Sequence, residues 1–205
     1  MPKHQRSFAR RALITAHKLI LDRTVRPSLR QLNGRTLVVG AGLEDYSALI
    51  SSTHELITTD IMMSPKTNTV ADAHDLPFSD NSFDSYVAIE VFEHLQSPEK
   101  AATEIHRVLK PGAVAILSIP FLFRVHGDPN DFQRLTKSGL QVLFEDFTGV
   151  EIAEFGNRLH VISDLITTAS KLLIPLRLFN HVFRLNWLNS PSTDAPSGYL
   201  VILRK

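Results

Sequence analysis

The chain has 205 residues, 43% of them hydrophobic and 21% charged, with a net charge of +1 and no cysteine. That composition suits one globular domain with a sizeable core. It excludes disulfides, thiolate metal ligands and cysteine nucleophiles. No uncharged apolar run reaches spanning length and no secretory h-region opens the chain, so the cytoplasm is the expected location. Charge is uneven: residues 1–30 hold eight Lys or Arg against Asp22 alone, giving +7 there and −6 elsewhere. A basic arm on an acidic body suits a solvated helix, or contact with an anionic membrane, nucleic acid or an acidic partner.

In chain order, apolar residues from Phe8 to Ile20 recur at helical spacing and predict an amphipathic helix over 6–22. Pro27 and Asn33-Gly34 punctuate the approach to a first strand at Leu37–Val39. Gly40 and Gly42 follow at once, then a crossover helix at Glu44–Ser52. Strands are expected at Leu56–Thr59, ending at Asp60, at Thr69–Ala71, ending at Asp72, and at Phe83–Ile89, ending at Glu90. A helix at Pro98–Leu109 stops at Lys110-Pro111-Gly112, and a fifth strand covers Ala113–Ile119. A helix at Thr136–Phe147, a strand at Val150–Phe155, a helical apolar stretch over 159–188 broken at Pro175, a loop at 189–198 and a last strand at Tyr199–Leu203 complete the chain. The alternation argues an α/β, Rossmann-like, doubly wound and mostly parallel sheet with helices on both faces. The whole of 1–205 is read as one domain, with 1–30 a basic helical extension and 156–198 a helical lid or insertion before the last strand.

In such a sheet, ligands bind at the carboxyl ends of the strands. Gly40, Ala41 and Gly42 form a turn that lets backbone approach a ligand closely. Asp60 is placed to accept from the two ribose hydroxyls of an adenosine, with Ile61 beside it. Asp72 and Ala73 can take an adenine amino group and ring. Glu90 and Val91 lie beside the same crevice, followed by Glu93 and by His94, which is equally suited to packing at a helix start. A dinucleotide cofactor fits less well: Glu44 and Asp45 in the first helical turn would repel a pyrophosphate, whereas a cationic cofactor suits an acidic mouth.

The block from Val70 to Leu95 (VADAHDLPFSDNSFDSYVAIEVFEHL) resembles the middle of a class I S-adenosylmethionine-dependent methyltransferase of the small-molecule, type 11-like kind. Ala102–Gly112 (ATEIHRVLKPG) resembles that family's helix and turn before the fifth strand. The resemblance runs from about Leu37 to Phe155. It implies a seven-stranded sheet whose last strand runs antiparallel between the fifth and sixth. It implies S-adenosyl-L-methionine as cofactor, with Gly40 and Gly42 at its methionine part, Asp60 at its ribose, Asp72 and Ala73 at its adenine, and Glu90 and Val91 at the reactive end. The chain departs from the family pattern at Val38, where an acid is usual, and at Glu44, where a third glycine is usual.

After the fifth strand, residues 121–136 (FLFRVHGDPNDFQRLT) gather His126, Asp128, Asp131 and Arg134 in an active-site loop position. His126 is the candidate base, Asp131 an alternative base or an orienting carboxylate, and Arg134 a holder of an anionic substrate group or a partner for Asp131. The spacing of the histidines matches no metal-ligand set, so no metal is expected. The reading is methyl transfer to a small molecule, glycan or lipid precursor. The alternatives are an RNA methyltransferase and a non-catalytic module that keeps the fold. Peripheral membrane contact through residues 1–30 and 159–188, and a homodimer, are the partner expectations beside the substrate.

Overall fold

A computed structural model of the chain describes residues 13–50, 53–127, 130–184 and 190–205. It contains helix α1 (Ala16–Leu29), strands β1 (Gly34–Val39), β2 (Thr53–Asp60), β3 (Thr69–Val70) and β4 (Phe83–Ile89), helix α2 (Pro98–Val108), strand β5 (Leu109–Pro120), helix α3 (Lys137–Leu143), strand β6 (Gly149–Phe155), helix α4 (Arg158–Ala169) and strand β7 (Gly198–Arg204). The sheet has seven strands in the order β3-β2-β1-β4-β5-β7-β6. Strands β1 to β5 pair in parallel. The amide of Lys205 donates to Ala113 at the start of β5, and that of Phe121, beyond the end of β5, donates to Ser197 before β7. Strand β7 therefore runs antiparallel to β5, as expected for this fold.

Strand β1 lies between β2 and β4, so the chain winds away from it in both directions and leaves a crevice at its carboxyl end. Leu37 and Val38 are wholly buried, which a strand covered on both faces requires. Val38 stands opposite Thr58 on one side and Val87 on the other. The position where the resemblance leads one to expect an acid is thus a closed apolar one.

Several elements differ from the sequence reading. No α-helix follows the glycine turn: only a 3-10 turn forms at Tyr46–Ala48, while Ser51 and Ser52 lie outside the described residues. The helix read over 6–22 is observed as α1 over Ala16–Leu29, with residues 1–12 outside the described set. Pro27 sits inside α1 near its end, where its missing amide forfeits a single bond. Lys110-Pro111-Gly112 does not end a helix before a new strand; it forms an irregularity inside β5, with Leu109 opposite Phe83 and Val114 opposite Ser85. Helix α3 is shorter than expected, starting from the Thr136 cap, whose hydroxyl accepts from the Gly139 amide at 3.1 Å. Beyond α4 the chain winds as 3-10 turns over Lys171–Arg184, Pro175 included, and residues 185–189 lie outside the described set.

The described residues group into two compact units. One holds Val25–Pro120, Val125–Ala153 and Tyr199–Lys205, and so most of the sheet. The other holds the described residues up to Thr24 together with Phe121–Arg124 and Glu154–Gly198. The second unit buries a polar network beside Leu19, Ile20, Leu21, Phe155 and Phe183. Asp164 accepts from the amides of Ala16 at 2.8 Å and His17 at 2.6 Å, capping α1 from a distant helix. His17 Nδ1 lies 2.5 Å from the Ser197 hydroxyl, and Asn180 donates to the carbonyl of Ile14 at 2.9 Å.

In the first unit, Arg107 fastens the link between β3 and β4 to α2. It donates to both oxygens of Glu104 at 2.7 Å, to the carbonyls of Phe78 at 2.7 Å and Leu76 at 2.9 Å, and to Asp80 at 2.8 Å. Glu104 also accepts from the Leu76 amide at 2.7 Å. These bonds hold the Glu104 carboxyl below its usual range, the side-chain bond from Arg107 first among them. A carboxylate whose folded pKa is lowered stabilises the fold fully above its unfolded pKa, and that stabilisation is lost as pH falls through the folded value. Replacing Arg107 by Met is expected to cost about 2 kcal/mol in urea unfolding at pH 7, and clearly less at pH 3. An equal loss at both pH values would show that the ion pair is not the cause.

A cofactor cleft and the acceptor cluster beside it

The glycine turn closes β1 with Gly40 at φ +69° and Gly42 at φ +55°. Asp60, the last residue of β2, fixes it: its Oδ2 accepts from the Gly42 amide at 2.8 Å and its Oδ1 from the Met62 amide at 3.0 Å. The aspartate therefore braces the turn, and a carboxylate oxygen with one backbone donor still has a lone pair for a ligand hydroxyl. A Cβ on Gly40 would collide with Cγ2 of Val91, so the absence of a side chain lets β1 and the turn after β4 approach each other.

Two assignments made for this turn are corrected. Glu44 and Asp45 do not open an α-helix, so the helix-dipole argument against a pyrophosphate lapses. Asp45 pairs with Lys66 at 2.5 Å and with the Ser47 hydroxyl, and the Lys66 bond, ahead of the others, lowers its carboxyl to about 2.

Asp72 lies just past β3. Its Oδ1 accepts from the amide of His74 at 2.9 Å and faces His74 Nδ1 at 2.6 Å. His74 in turn accepts from the Ser97 amide through Nε2 at 3.3 Å. The sequence reading left His74 without a task; its ring ties the two sides of the cleft together. The amide bond from His74 is the main reason that Asp72 titrates below its usual range.

Glu90 is a non-glycine residue at φ +57°, a conformation that costs an L-residue about 1 kcal/mol. Ser118 of β5 holds it there. The Glu90 amide donates to the Ser118 carbonyl at 3.0 Å and to its hydroxyl at 3.1 Å, and that hydroxyl donates back to Glu90 Oε1 at 2.9 Å. A hydrogen-bonded clamp of this kind on a strained residue is a mark of functional sites.

Val39, Gly40, Asp60, Ile61, Ala71, Asp72, Ala73, His74, Glu90, Val91, His94 and Leu95 line one open cleft of about 180 Å³. Its mix of apolar wall and few polar groups is that of a small-molecule site. Seven of the nine expected cofactor residues line it; Ala41 is buried behind the turn, its amide bonded to Thr59 at 2.9 Å, and Gly42 is held by Asp60.

Next to the cleft lies a polar cluster that sequence spacing did not bring together. After Glu90 the chain makes a 3-10 turn at Phe92–His94. The segment from Asn130 to Arg134 is stapled to that turn: Phe132 donates to the Glu93 carbonyl at 2.8 Å, and Gln133 Nε2 to the carbonyls of Leu95 at 3.1 Å and Phe92 at 3.3 Å. His94 and His126 consequently stand with ring centroids 5.1 Å apart. Asp131 is buried and pairs with Arg134 through both its oxygens, one at 2.6 Å, and accepts from the His126 amide at 2.8 Å. Burial opposes the Asp131 charge, but Arg134 and that amide outweigh it and hold the carboxyl at about 2. Asp131 is thus a poor base and a good brace, and Arg134 spends its guanidinium on that brace. Asp128 lies outside the described residues. Glu93 is 1% exposed, and burial, reinforced by nearby Glu90, pushes its carboxyl well above the usual range.

A family profile described as a methyltransferase domain matches residues 37–117, which run from the second half of β1 through most of β5 and contain every residue lining the cleft. Over these residues the chain carries a methyltransferase domain, in the fold of the class I S-adenosylmethionine-dependent methyltransferases. An O-methyltransferase (rstn1) of Aspergillus nomiae is 35% identical over 129 residues, which is 54% of this chain and 56% of that protein. The ubiquinone/menaquinone biosynthesis C-methyltransferase UbiE of a Ruegeria species is 32% identical over 85 residues, 42% of this chain and 29% of that protein. The chain thus aligns with about half or less of these relatives. A solved S-adenosylmethionine-dependent methyltransferase from Thermotoga maritima superposes with a TM-score of 0.61 at 14% identity, covering 93% of this chain and 91% of that one. That likeness is one of fold. The family's cofactor is S-adenosylmethionine, and the cleft fits it: a glycine cradle that a Cβ would obstruct, acids at two strand ends and an apolar wall.

The close approach at Gly40 can be tested. Gly40→Ala is expected to lose about 2–4 kcal/mol in urea unfolding, from strain and overpacking together. The double variant with Val91→Ala is expected to recover part of that loss. No recovery would show that the collision is not the source.

Proposed function

We propose that the chain transfers a methyl group from S-adenosylmethionine to a small-molecule, glycan or lipid-precursor acceptor. The observation that carries this reading is the adjacency of the adenosine-shaped cleft and the cluster of Glu93, His94 and His126, with His94 belonging to both. Asp60 and Ile61 would hold the ribose, Asp72 and Ala73 the adenine, and the Gly40–Gly42 turn the amino-acid part. Bound there, the cofactor supplies an electrophilic methyl on a sulfonium. Glu90 and Val91 close the reactive end, while Val39, Ala71, Ala73 and Leu95 exclude water along the wall. Acceptor activation falls to His126, whose ring stands 3.2 Å from Asp131 through Nδ1 and therefore directs Nε2 toward Glu93. Positioning supplies much of the acceleration in such a reaction.

Cofactor and acceptor roles separate in experiment. Asp60→Asn is expected to weaken S-adenosylhomocysteine binding in calorimetry by about ten- to a hundredfold, the size of a charged hydrogen bond. His126→Ala is expected to keep that affinity and lose transfer of tritiated methyl to an acceptor found by screening small-molecule and lipid fractions. Unchanged transfer would remove His126 from the reaction, and unchanged affinity in the Asp60 variant would remove the ribose assignment.

A specific observation favours a lipid-side acceptor. Helix α4 buries His160, Asp164 and Thr167 and leaves Leu159, Ile162, Leu165 and Ile166 about half exposed. Leu172, Leu178 and Phe179 extend the apolar surface, beside exposed Lys171. Among the described residues no helix is long and apolar enough to cross a membrane, so this face would lie on one. Replacing Leu165 and Ile166 by Glu is expected to abolish co-sedimentation with phosphatidylglycerol vesicles. Sedimentation unaffected by both changes would exclude this face.

A further inference from the structure

We infer that Glu93, His94 and His126 form a binding site for one divalent transition-metal ion beside the methyl-transfer cleft. The carboxylate of Glu93 is wholly buried, and among the described residues neither of its oxygens receives a hydrogen bond. Burying a carboxylate unpaired costs several kcal/mol, so a native fold that keeps one gives it a partner. Two imidazoles face it. His94 Nε2 stands 3.5 Å from Glu93 Oε1, and His126 Nε2 stands 3.9 Å from the same oxygen. Both separations are too long for hydrogen bonds. They are close to the spacing of ligands on neighbouring positions of one ion, which takes each donor at about 2.0–2.2 Å and so sets donors roughly 3–3.5 Å apart. One ligand atom from each of the three residues lies within 4.8 Å of the others, so side-chain movements of about half an ångström to one ångström bring all three into range.

The remote ring nitrogens support the same assignment. His94 Nδ1 is hydrogen-bonded to the carbonyl of Asn130, which fixes the proton on Nδ1 and leaves the lone pair on Nε2. His126 Nδ1 faces Asp131 Oδ2 at 3.2 Å, and Arg134 clamps that carboxylate in place. A carbonyl or carboxylate on the far nitrogen is how proteins orient metal-bound histidines and strengthen them as ligands. Two imidazoles and one carboxylate suit zinc, iron(II), cobalt or manganese rather than magnesium or calcium, which prefer oxygen throughout.

Three protein ligands leave further positions on the ion. His94 lines the cleft, so those positions open toward it. An acceptor hydroxyl bound there loses its proton more readily: the O–H bond breaks, the electron pair stays on oxygen, and the proton leaves to solvent. This use of the ion rests on the methyltransferase reading; its binding does not. The metal thereby specifies the acceptor class as an oxygen nucleophile, and His126 then activates the acceptor through the ion it holds rather than as a free base.

The full chain, stripped with chelator, is to be titrated with cobalt(II) and followed by visible absorption, then back-titrated with zinc. One equivalent of cobalt per chain, displaced by zinc, is expected. Glu93→Gln, His94→Ala and His126→Ala should each weaken binding at least tenfold, while His106→Ala, away from the cluster against Phe147, leaves it unchanged. Circular dichroism confirms that each variant folds, and Glu93→Met, which removes a buried carboxyl group without hydrogen bonds among the described residues, should raise the melting temperature of the metal-free protein while eliminating cobalt binding. Absence of stoichiometric cobalt binding, or binding indifferent to these changes, overturns the site. Calorimetry with S-adenosylhomocysteine on the same samples reports separately on the cofactor reading.

Discussion

The hold of Ser118 on Glu90 sets the geometry of everything downstream of β4. Three hydrogen bonds keep Glu90 at φ +57°, where an unassisted glutamate would not stay. That single left-handed residue turns the chain out of the sheet at the carboxyl end of β4. Val91 is thereby laid against Gly40, and Glu93 and His94 fall into a tight 3-10 turn rather than a further extended residue. Because Ser118 belongs to β5, the same bonds tie the cofactor side of the crevice to the strand that launches the acceptor loop. The cleft and the cluster share one hinge of hydrogen bonds.

Much of this was legible in the residues. Apolar runs bounded by turn residues located β1, β4 and β5, and an acid or glycine at each strand end pointed to the crevice. Those signals are local: burial on both faces demands a continuous apolar run, and a turn against a ligand demands glycine. What stayed hidden depended on distant partners. The cluster of Glu93, His94 and His126 exists because Phe132 and Gln133 bond to the carbonyls of the Phe92–His94 turn, and no spacing rule carries that information. A sharper eye for Glu93 was available, since an acid between two strongly apolar stretches is either exposed or assigned a task. The helix expected after the glycine turn is reduced to a 3-10 turn at Tyr46–Ala48 among the described residues.

Helix α4 shows a second limit of pattern reading. The apolar stretch over 159–188 marks a helix without saying which side faces inward, and the fold buries the polar stripe of His160, Asp164 and Thr167. The reason lies outside the helix. Asp164 is the cap for the amides of Ala16 and His17, and a capped helix start gains more from an oriented carboxylate than from one more apolar contact. Once that stripe faces inward, helical geometry turns the apolar residues outward. The surface so produced follows from the α1 cap.

The two buried carboxylates make opposite arguments. Asp164 is nine-tenths hidden but receives two backbone amides, so its charge is answered within the fold and its role is structural. Glu93 is hidden as thoroughly and receives none among the described residues. Around it the chain has placed two imidazoles whose outer nitrogens face a carbonyl and a clamped aspartate, leaving the inner nitrogens turned on the carboxylate. A fold that merely tolerated a buried acid would gain by replacing it with an apolar side chain. Retaining it, with Asp131 and Arg134 orienting one of its neighbours, is the arrangement that the proposed metal site requires.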